Sequence, residues 1–175
     1  MLTRSLLAAT LLLAAGPALA IDTPRLGKPI TEADAAAWDI SIGPDGVGLP
    51  AGSGTAQQGA PIYAAKCAVC HGEKGEGKIA NRLVGGIGTL PGPKEAVKSV
   101  GSYWPYATTL FDYIRRSMPW NQPKTLSDDE VYAVSAYILA LNGIIKDGDV
   151  MNKDTLVKVA MPNRDGFIPL YPNKH

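Results

Sequence analysis

The stretch Cys67-Ala68-Val69-Cys70-His71 places two cysteines three positions apart and a histidine directly after the second. In a helical turn, side chains three positions apart lie on one face. Two thiols on one face can add to the two vinyl groups of one porphyrin edge, and the following imidazole can bind the iron. The spacing therefore predicts covalent attachment of one c-type haem through Cys67 and Cys70, with His71 as the proximal ligand.

Three other interpretations of this Cys-x-x-Cys pair are open. A thioredoxin-like redox pair belongs in a βαβ setting, whereas the residues before Cys67 have a helical pattern. A structural zinc site needs four ligands, and the chain has only two cysteines and two histidines in all. The third interpretation is a chance match of the motif.

The first 20 residues have the three parts of a secretory signal peptide. Arg4 provides the positive n-region, Leu6 to Ala15 the apolar h-region, and Ala18-Leu19-Ala20 the A-x-A cleavage site. The apolar run is shorter than the ~20 residues that a membrane-spanning helix needs, and an uncleaved N-terminal anchor is the alternative. We therefore expect an exported protein, which in a bacterium means the periplasm. No disulfide is expected there, because haem attachment occupies both thiols.

Composition excludes some classes of partner and divides the chain into segments. The 17 lysines and arginines nearly balance the 16 aspartates and glutamates, which does not suggest a nucleic acid or an anionic membrane surface as partner. After the signal peptide (1–20), we expect an N-terminal arm rich in Gly and Pro (21–54), one folded domain (55–143) and a C-terminal tail (144–175). There are no internal repeats, and one haem motif predicts one haem.

The first main helix is predicted to begin at Thr55, which forms a capping box with Gln58, and to end at the haem motif. Gly59 is unusual inside a helix, where it costs about 1 kcal/mol relative to Ala. It lies one turn before Tyr63 on the same face, which predicts close approach of a second helix at this point.

Two more helices are predicted after a glycine-rich loop (72–92) that can wrap closely around a flat cofactor. One opens at Trp104-Pro105 and ends before Met118-Pro119, because proline disfavours the helical region for the residue before it. The other begins with a capping box of Ser127 and Glu130 and ends at Asn142-Gly143.

Met118 is the predicted sixth ligand of the iron. It lies on an irregular segment between two helices, from which a side chain can be aimed inward, and Pro119 restricts its backbone. Methionine opposite histidine fills both axial positions and raises the reduction potential, which suits electron transfer. Met161, also followed by proline, is the alternative ligand. Met151 is expected at the surface, and His175 at a solvated chain end.

The segment from Thr55 to Gly143 resembles the class I cytochromes c: a helix with glycine and aromatic ending in CAVCH, a glycine-rich loop, and a methionine before a final helix. The resemblance implies an all-α fold around one covalent haem, here with extended N- and C-terminal arms. It implies that the first and last helices cross near Gly59, Tyr63 and Tyr137. Many members use a proline carbonyl to accept the His Nδ1 proton. Residues 78–81 (Lys-Ile-Ala-Asn) lack that proline, so the carbonyl that orients His71 is open.

A narrower likeness covers nearly the whole chain after the signal peptide. It is carried by the runs AAWDISIGPDGVGLPAGSGTA, RLVGGIGTL, VGSYWPYATTLFDYIRRSMPW, LSDDEVYAVSAYILALNGI and MPNRDGF. These runs are similar to monohaem cytochrome subunits of molybdenum sulfite dehydrogenases and sulfur-oxidising dehydrogenases. The likeness implies a redox partner of that kind. No stable membrane insertion is expected, because no stretch after the signal peptide approaches the ~20 apolar residues that a spanning helix needs.

Residues around the haem complete the set of candidates. Arg82, Tyr103, Trp104 and Tyr106 are candidates to hydrogen-bond the propionates, and each has a packing or surface role as its alternative. Trp104 and Trp120 are also expected to line the pocket. Three lysines beside the attachment motif could steer an acidic redox partner or simply face solvent: Lys66, Lys74 and Lys78.

The function expected from these residues is one-electron transfer and not catalysis. Beyond His71 only the terminal His175 remains, so no histidine can serve as an internal general base. We expect electrons to arrive from a sulfite- or sulfur-compound dehydrogenase and to leave to the respiratory chain. The alternative is a haem enzyme or gas sensor with an open or labile sixth coordination site.

Overall fold

The computed structural model describes residues 26–92, 95–168 and 170–171. The predicted signal peptide and the terminal His175 lie outside these residues. The chain divides into two compact units, residues 1–39 and 40–175. In the first unit, helix α1 spans Glu32–Ala36 and begins with a capping box in which Thr31 and Asp34 bind each other's backbone N–H.

The regular secondary structure in the described part of the second unit is mainly helical. Its elements are β1 (Ser53–Gly54), α2 (Ala56–Lys66), α3 (Ala68–His71), α4 (Val100–Tyr103), α5 (Ala107–Ser117), α6 (Asp128–Leu141), β2 (Met151–Asn152) and a 3-10 helix (Leu156–Lys158). The predicted all-α fold is confirmed, with one two-stranded ladder of two residues per strand added to it. Among the described residues, no helix combines the length and apolar character needed to cross a bilayer.

Helices α2 and α6 cross where the sequence predicts close approach. Gly59 faces Ala133, and a Cβ on Gly59 would lie 2.9 Å from the Cβ of Tyr137. Beside this contact the rings of Tyr63 and Tyr137 pack with centroids 5.1 Å apart. Both helices begin at the predicted capping boxes, Thr55 with Gln58 and Ser127 with Glu130. The predicted crossing is confirmed.

Helix α5 packs against α6 through the rings of Phe111 and Tyr132, whose centroids are 4.3 Å apart. The prediction that this helix opens at Trp104 is wrong, because it begins at Ala107. Trp104 has extended backbone angles (φ −73°, ψ 127°), as the proline after it requires, and it separates α5 from the short α4.

Residues beyond the three main helices also supply the core. Strands β1 and β2 pair antiparallel, with Gly54 opposite Met151. Met151 is 4% exposed, so its predicted place at the surface is wrong. The ladder holds Met151 beside Gly54, which lies against Ala133 of α6. Met161 is buried as well, as are Leu156 and Val159.

Candidate haem site

A cavity of about 700 Å³ opens between the haem motif, α5 and α6. This volume falls within the range of about 300–1,000 Å³ that is usual for sites of small molecules and cofactors. Its wall is formed mainly by hydrophobic and aromatic side chains: Val69, Ile79, Leu83, Val100, Trp104, Leu110, Tyr113, Ile114, Pro119, Trp120, Leu126, Val134 and Ile138. The same wall contains Cys67, Cys70, His71 and Met118.

The two cysteines are set by the end of one helix and the start of the next. Cys67 ends α2, donating its N–H to the Tyr63 carbonyl at 2.8 Å, and α3 then runs through Cys70 to His71. Both thiols are free, and burial raises the pKa of the Cys67 thiol to about 11. An apolar position of this kind favours an uncharged sulfur, and a thioether is one.

His71 is oriented by the glycine-rich loop. Its Nδ1 lies 2.7 Å from the carbonyl oxygen of Asn81. Because a carbonyl oxygen can only accept a hydrogen bond, Nδ1–H is the donor, and Nε2 is left as the nitrogen with the lone pair. The loop is held in turn by the motif, since the Gly77 N–H donates to the His71 carbonyl at 2.8 Å and the Ala80 N–H to the Cys70 carbonyl at 2.9 Å. Asn81 therefore supplies the carbonyl that the sequence could place only within residues 78–81.

Met118 lies where α5 ends. Its N–H still donates to the Ile114 carbonyl at 3.0 Å, but its own backbone is extended (φ −117°, ψ 148°) and its peptide bond to Pro119 is cis. The half-buried Met118 side chain lines the same cavity as the haem motif. Met161, the alternative, is 3% exposed in the core cluster and is not among the residues of the cavity wall.

The structure brings only one of the four further candidates, Trp104, to the cavity, and Tyr106 is not among the residues of the wall. Trp104 lines it and meets Tyr113 edge to face, with centroids 5.7 Å apart. Arg82 is an exposed loop residue that does not contribute to the wall. Tyr103 also lies outside the wall, with the Lys98 ammonium 5.1 Å from its ring centroid and Phe167 against its edge. The propionate roles of Arg82 and Tyr103 stay predictions.

Two polar residues on the wall were not singled out from the sequence. Asn121 and Gln122 follow the Met118-Pro119 pair, and only the position of that methionine could have drawn attention to them. Lys66 also reaches the wall, and its ammonium lies 3.4 Å from a Glu130 carboxylate oxygen. This pair leaves Lys66 less available for steering a partner than its place beside the motif suggests.

The residues of the cavity fit the haem that the motif predicts. Two thiols, one oriented imidazole and one thioether share a wall that is mainly apolar, and this is the donor set of a His/Met c-type site. Across residues 26–92, 95–168 and 170–171, no three His, Cys, Asp or Glu side chains group so as to hold a metal ion. The four-ligand zinc interpretation therefore has no ligand set in the described part of the chain.

Comparison with known proteins shows which chains this one is similar to. A family model described as "Cytochrome C oxidase, cbb3-type, subunit III" matches residues 54–138. A chain in the crystal structure of the sulfane dehydrogenase SoxCD from Paracoccus pantotrophus superimposes with a TM-score of 0.75 at 41% identity. The match covers 86% of this chain and 73% of that one.

Two curated relatives are thiosulfate dehydrogenases. That of Psychrobacter arcticus is 32% identical over 96 residues, and that of Stutzerimonas stutzeri is 34% identical over 89 residues. The matched parts are 55% and 51% of this chain but only 28% of each relative, so the chain spans little more than a quarter of their length. Its fold, its CAVCH motif and its 41% identity to a chain of SoxCD together show that this chain belongs to the class I c-type cytochromes.

Proposed function

We propose that this chain is an electron carrier that holds one haem c through thioethers to Cys67 and Cys70, with His71 and Met118 as the axial ligands. The observation that carries this proposal is that all four side chains line one mainly apolar cavity. When bound, the haem iron supplies a one-electron ferrous/ferric couple, and the protein sets its potential through axial ligands, hydrogen bonds and burial.

The surroundings of His71 support its role as the proximal ligand. Donation from Nδ1 to the Asn81 carbonyl fixes the tautomer and the ring orientation and raises the basicity of Nε2. The burial of Met161 within the protein core supports Met118 as the methionine that reaches the cavity.

The wall of the cavity supports electron transfer in preference to catalysis at the iron. A ligand on each axial side leaves no coordination position for a substrate. The apolar lining lowers the local dielectric, and this disfavours the more highly charged oxidised state. The chain thus acts by holding the iron in one environment while its charge changes by one.

A sulfur-compound dehydrogenase is the proposed electron donor, and the respiratory chain is the proposed acceptor. The likeness to a chain of SoxCD and to thiosulfate dehydrogenases supports this assignment. We propose that the chain acts in the periplasm after export by its N-terminal signal peptide. Transient redox encounters generally use small interfaces, so an encounter of this type would bury less than about 1,200 Å².

The decisive test of the ligand set compares Met118→Ala with Met161→Ala. Loss of the Met118 sulfur should shift the visible spectrum, lower the reduction potential and let carbon monoxide bind the ferrous protein readily. Met161→Ala should destabilise the core by about 2–5 kcal/mol and leave the spectrum of the folded protein unchanged. If the Met118 variant keeps the wild-type spectrum and potential, the ligand assignment is wrong. Ready carbon monoxide binding by the wild type would favour the haem enzyme or sensor instead.

A further inference from the structure

The C-terminal segment touches the haem cavity indirectly, through the connector Tyr103–Tyr106 between α4 and α5. The Asn163 side-chain amide donates to the Tyr103 carbonyl at 2.7 Å. The Arg164 guanidinium carbon lies 4.6 Å from the ring centroid of Tyr106. The Phe167 ring meets the Tyr103 ring edge to face at 5.2 Å. We name these three side chains, Asn163, Arg164 and Phe167, the C-terminal clamp.

The connector is a place where backbone groups need outside partners. Tyr103 is the last residue of α4, and the carbonyls at a helix end have no intrahelical donor. Asn163 provides that donor from 60 residues further along the chain. On the other side of Trp104, the cation of Arg164 lies over the face of Tyr106, the attractive geometry for a cation and an aromatic ring. The clamp therefore holds the connector at both ends.

The clamp is itself anchored and locally ordered. Met161, two residues before Asn163, is 3% exposed in the core. Two turn hydrogen bonds follow, from the Arg164 N–H to the Met161 carbonyl at 3.1 Å and from the Gly166 N–H to the Asn163 carbonyl at 3.2 Å. Residues 161–166 thus form a hydrogen-bonded turn that Met161 anchors in the core. This turn holds Asn163 and Arg164 in place against the connector.

The residue held between the two ends is Trp104, which forms part of the cavity wall. Its ring packs at 88° to that of Tyr113, another residue of the wall. Trp104 lies in the chain between Tyr103 and Tyr106, so its Cα is carried by the backbone that the clamp contacts on both sides.

We propose that Asn163 and Arg164 are positioning residues of the haem site: they fix the connector so that Trp104 closes one side of the cavity. This proposal rests on the proposed haem-binding function. Neither side chain touches the cofactor cavity, and both act through the backbone that carries Trp104. The C-terminal segment is thereby part of the cofactor site and not only a cover of the protein surface.

Fluorine NMR of the holoprotein labelled with fluorotryptophan tests the proposal. The chain has three tryptophans, and Trp104→Phe assigns the relevant signal. In the diamagnetic ferrous state, the Asn163→Ala/Arg164→Ala variant should shift or split the Trp104 signal while that of Trp38 stays in place. Because Arg164 is exposed, Arg164→Ala alone should fold and give a smaller shift of the Trp104 signal. Arg164→Lys, which keeps a cation, should bring the signal most of the way back to its wild-type position.

Thr155→Ala is the matched control. It removes the 2.7 Å hydrogen bond from Thr155 to the Val150 carbonyl, in the same C-terminal segment but away from the connector. Its Trp104 signal should match that of the wild type. An unchanged Trp104 signal in the Asn163→Ala/Arg164→Ala variant, or an equal shift in the control, would overturn the proposal.

The visible spectrum of each sample separates this inference from the function it rests on. A colourless wild type would contradict the proposed function. If the wild type is coloured but the Trp104 signal is the same in the wild type and in the clamp variants, the clamp proposal alone is contradicted.

Discussion

Gly59 of α2 lies against the backbone of Ala133 in α6, so closely that a Cβ on Gly59 would come within 2.5 Å of the Ala133 carbonyl carbon. In an open helix, Ala in place of Gly would gain about 1 kcal/mol. Here the new methyl group has no room between two packed backbones. The crossing of the first and last helices depends on this absence of a side chain.

We predict that Gly59→Ala destabilises the protein by about 1–3 kcal/mol, the usual cost of forcing an extra carbon into a packed contact. Urea denaturation measures the change. Gly148→Ala is the control, because a Cβ at Gly148 meets nothing within 4 Å. A Gly59→Ala protein as stable as wild type would show that the helices do not cross at this contact.

Asn142 is predicted to hold the glycine-rich loop to the end of α6. Its amide nitrogen donates to the Leu83 carbonyl at 3.1 Å and to the Ile138 carbonyl at 2.9 Å, and its oxygen accepts from the Gly85 N–H at 3.0 Å. Asn142→Ala should cost about 1–3 kcal/mol, since it leaves partly buried backbone groups without partners. Amide hydrogen exchange should show faster exchange of Gly85.

Asn142→Asp separates the two halves of that contact. The carboxylate keeps an acceptor for the Gly85 N–H but loses both donors. Protection of Gly85 should therefore survive in Asn142→Asp and be lost in Asn142→Ala. Equal protection of Gly85 in all three proteins would rule out this role of Asn142.

Two adjacent arginines are predicted to differ sharply in their effect on stability. Arg116 Nε donates to the buried Asp112 carboxylate at 2.9 Å, and the same carboxylate accepts the Ile42 N–H at 3.1 Å. Arg116→Ala leaves that buried charge without its cation and should cost about 3 kcal/mol. Arg115 pairs with Asp128 at 2.9 Å, where both side chains are about one-third exposed, so Arg115→Ala should cost less than about 1 kcal/mol.

Thermal or urea denaturation of the two variants measures this difference. Equal losses from Arg115→Ala and Arg116→Ala would show that the Arg116–Asp112 pair contributes no more to stability than the more exposed Arg115–Asp128 pair.

The capping box of α6 predicts a dependence of stability on pH. The Ser127 backbone N–H donates to a carboxylate oxygen of Glu130 at 2.8 Å. This hydrogen bond is the main cause that holds the pKa of Glu130 below its ordinary value, and Lys66 lowers that pKa further. A carboxyl with a lowered pKa in the folded state stabilises the protein above its unfolded pKa, and this contribution is lost as the pH falls. The loss should therefore occur below about pH 4.5.

Glu130→Gln removes this titration. Its stability should fall less than that of the wild type between pH 7 and pH 3 in urea denaturation, and the variant should be less stable than the wild type at pH 7. Identical pH profiles of the two proteins would show that Glu130 does not contribute in this way.

Local signals in the sequence predicted much of this fold. Capping boxes depend on residues three positions apart, and those at Thr55 and Ser127 are present as predicted. The haem motif is also local, and both of its cysteines and His71 line one cavity. Gly59 is unfavourable within a helix, and that local cost indicated a distant contact.

The features that sequence reasoning missed depend on distant contacts. The ladder that pairs Ser53 with Asn152 is two residues long, too short to leave an alternating pattern, and it holds the buried Met151 beside Gly54. The hydrogen bond from Asn163 to the Tyr103 carbonyl joins a side chain to a backbone group, which any residue possesses. For the same reason, the carbonyl of Asn81 could not be told from its neighbours.

The central claim is that Cys67 and Cys70 carry a covalent haem, and the intact mass of the purified protein tests it most directly. We predict the mass of the processed chain plus one haem from cells that attach c-type haem, and loss of that addition in Cys67→Ala/Cys70→Ala. A colourless wild-type protein with the mass of the bare chain would contradict the account.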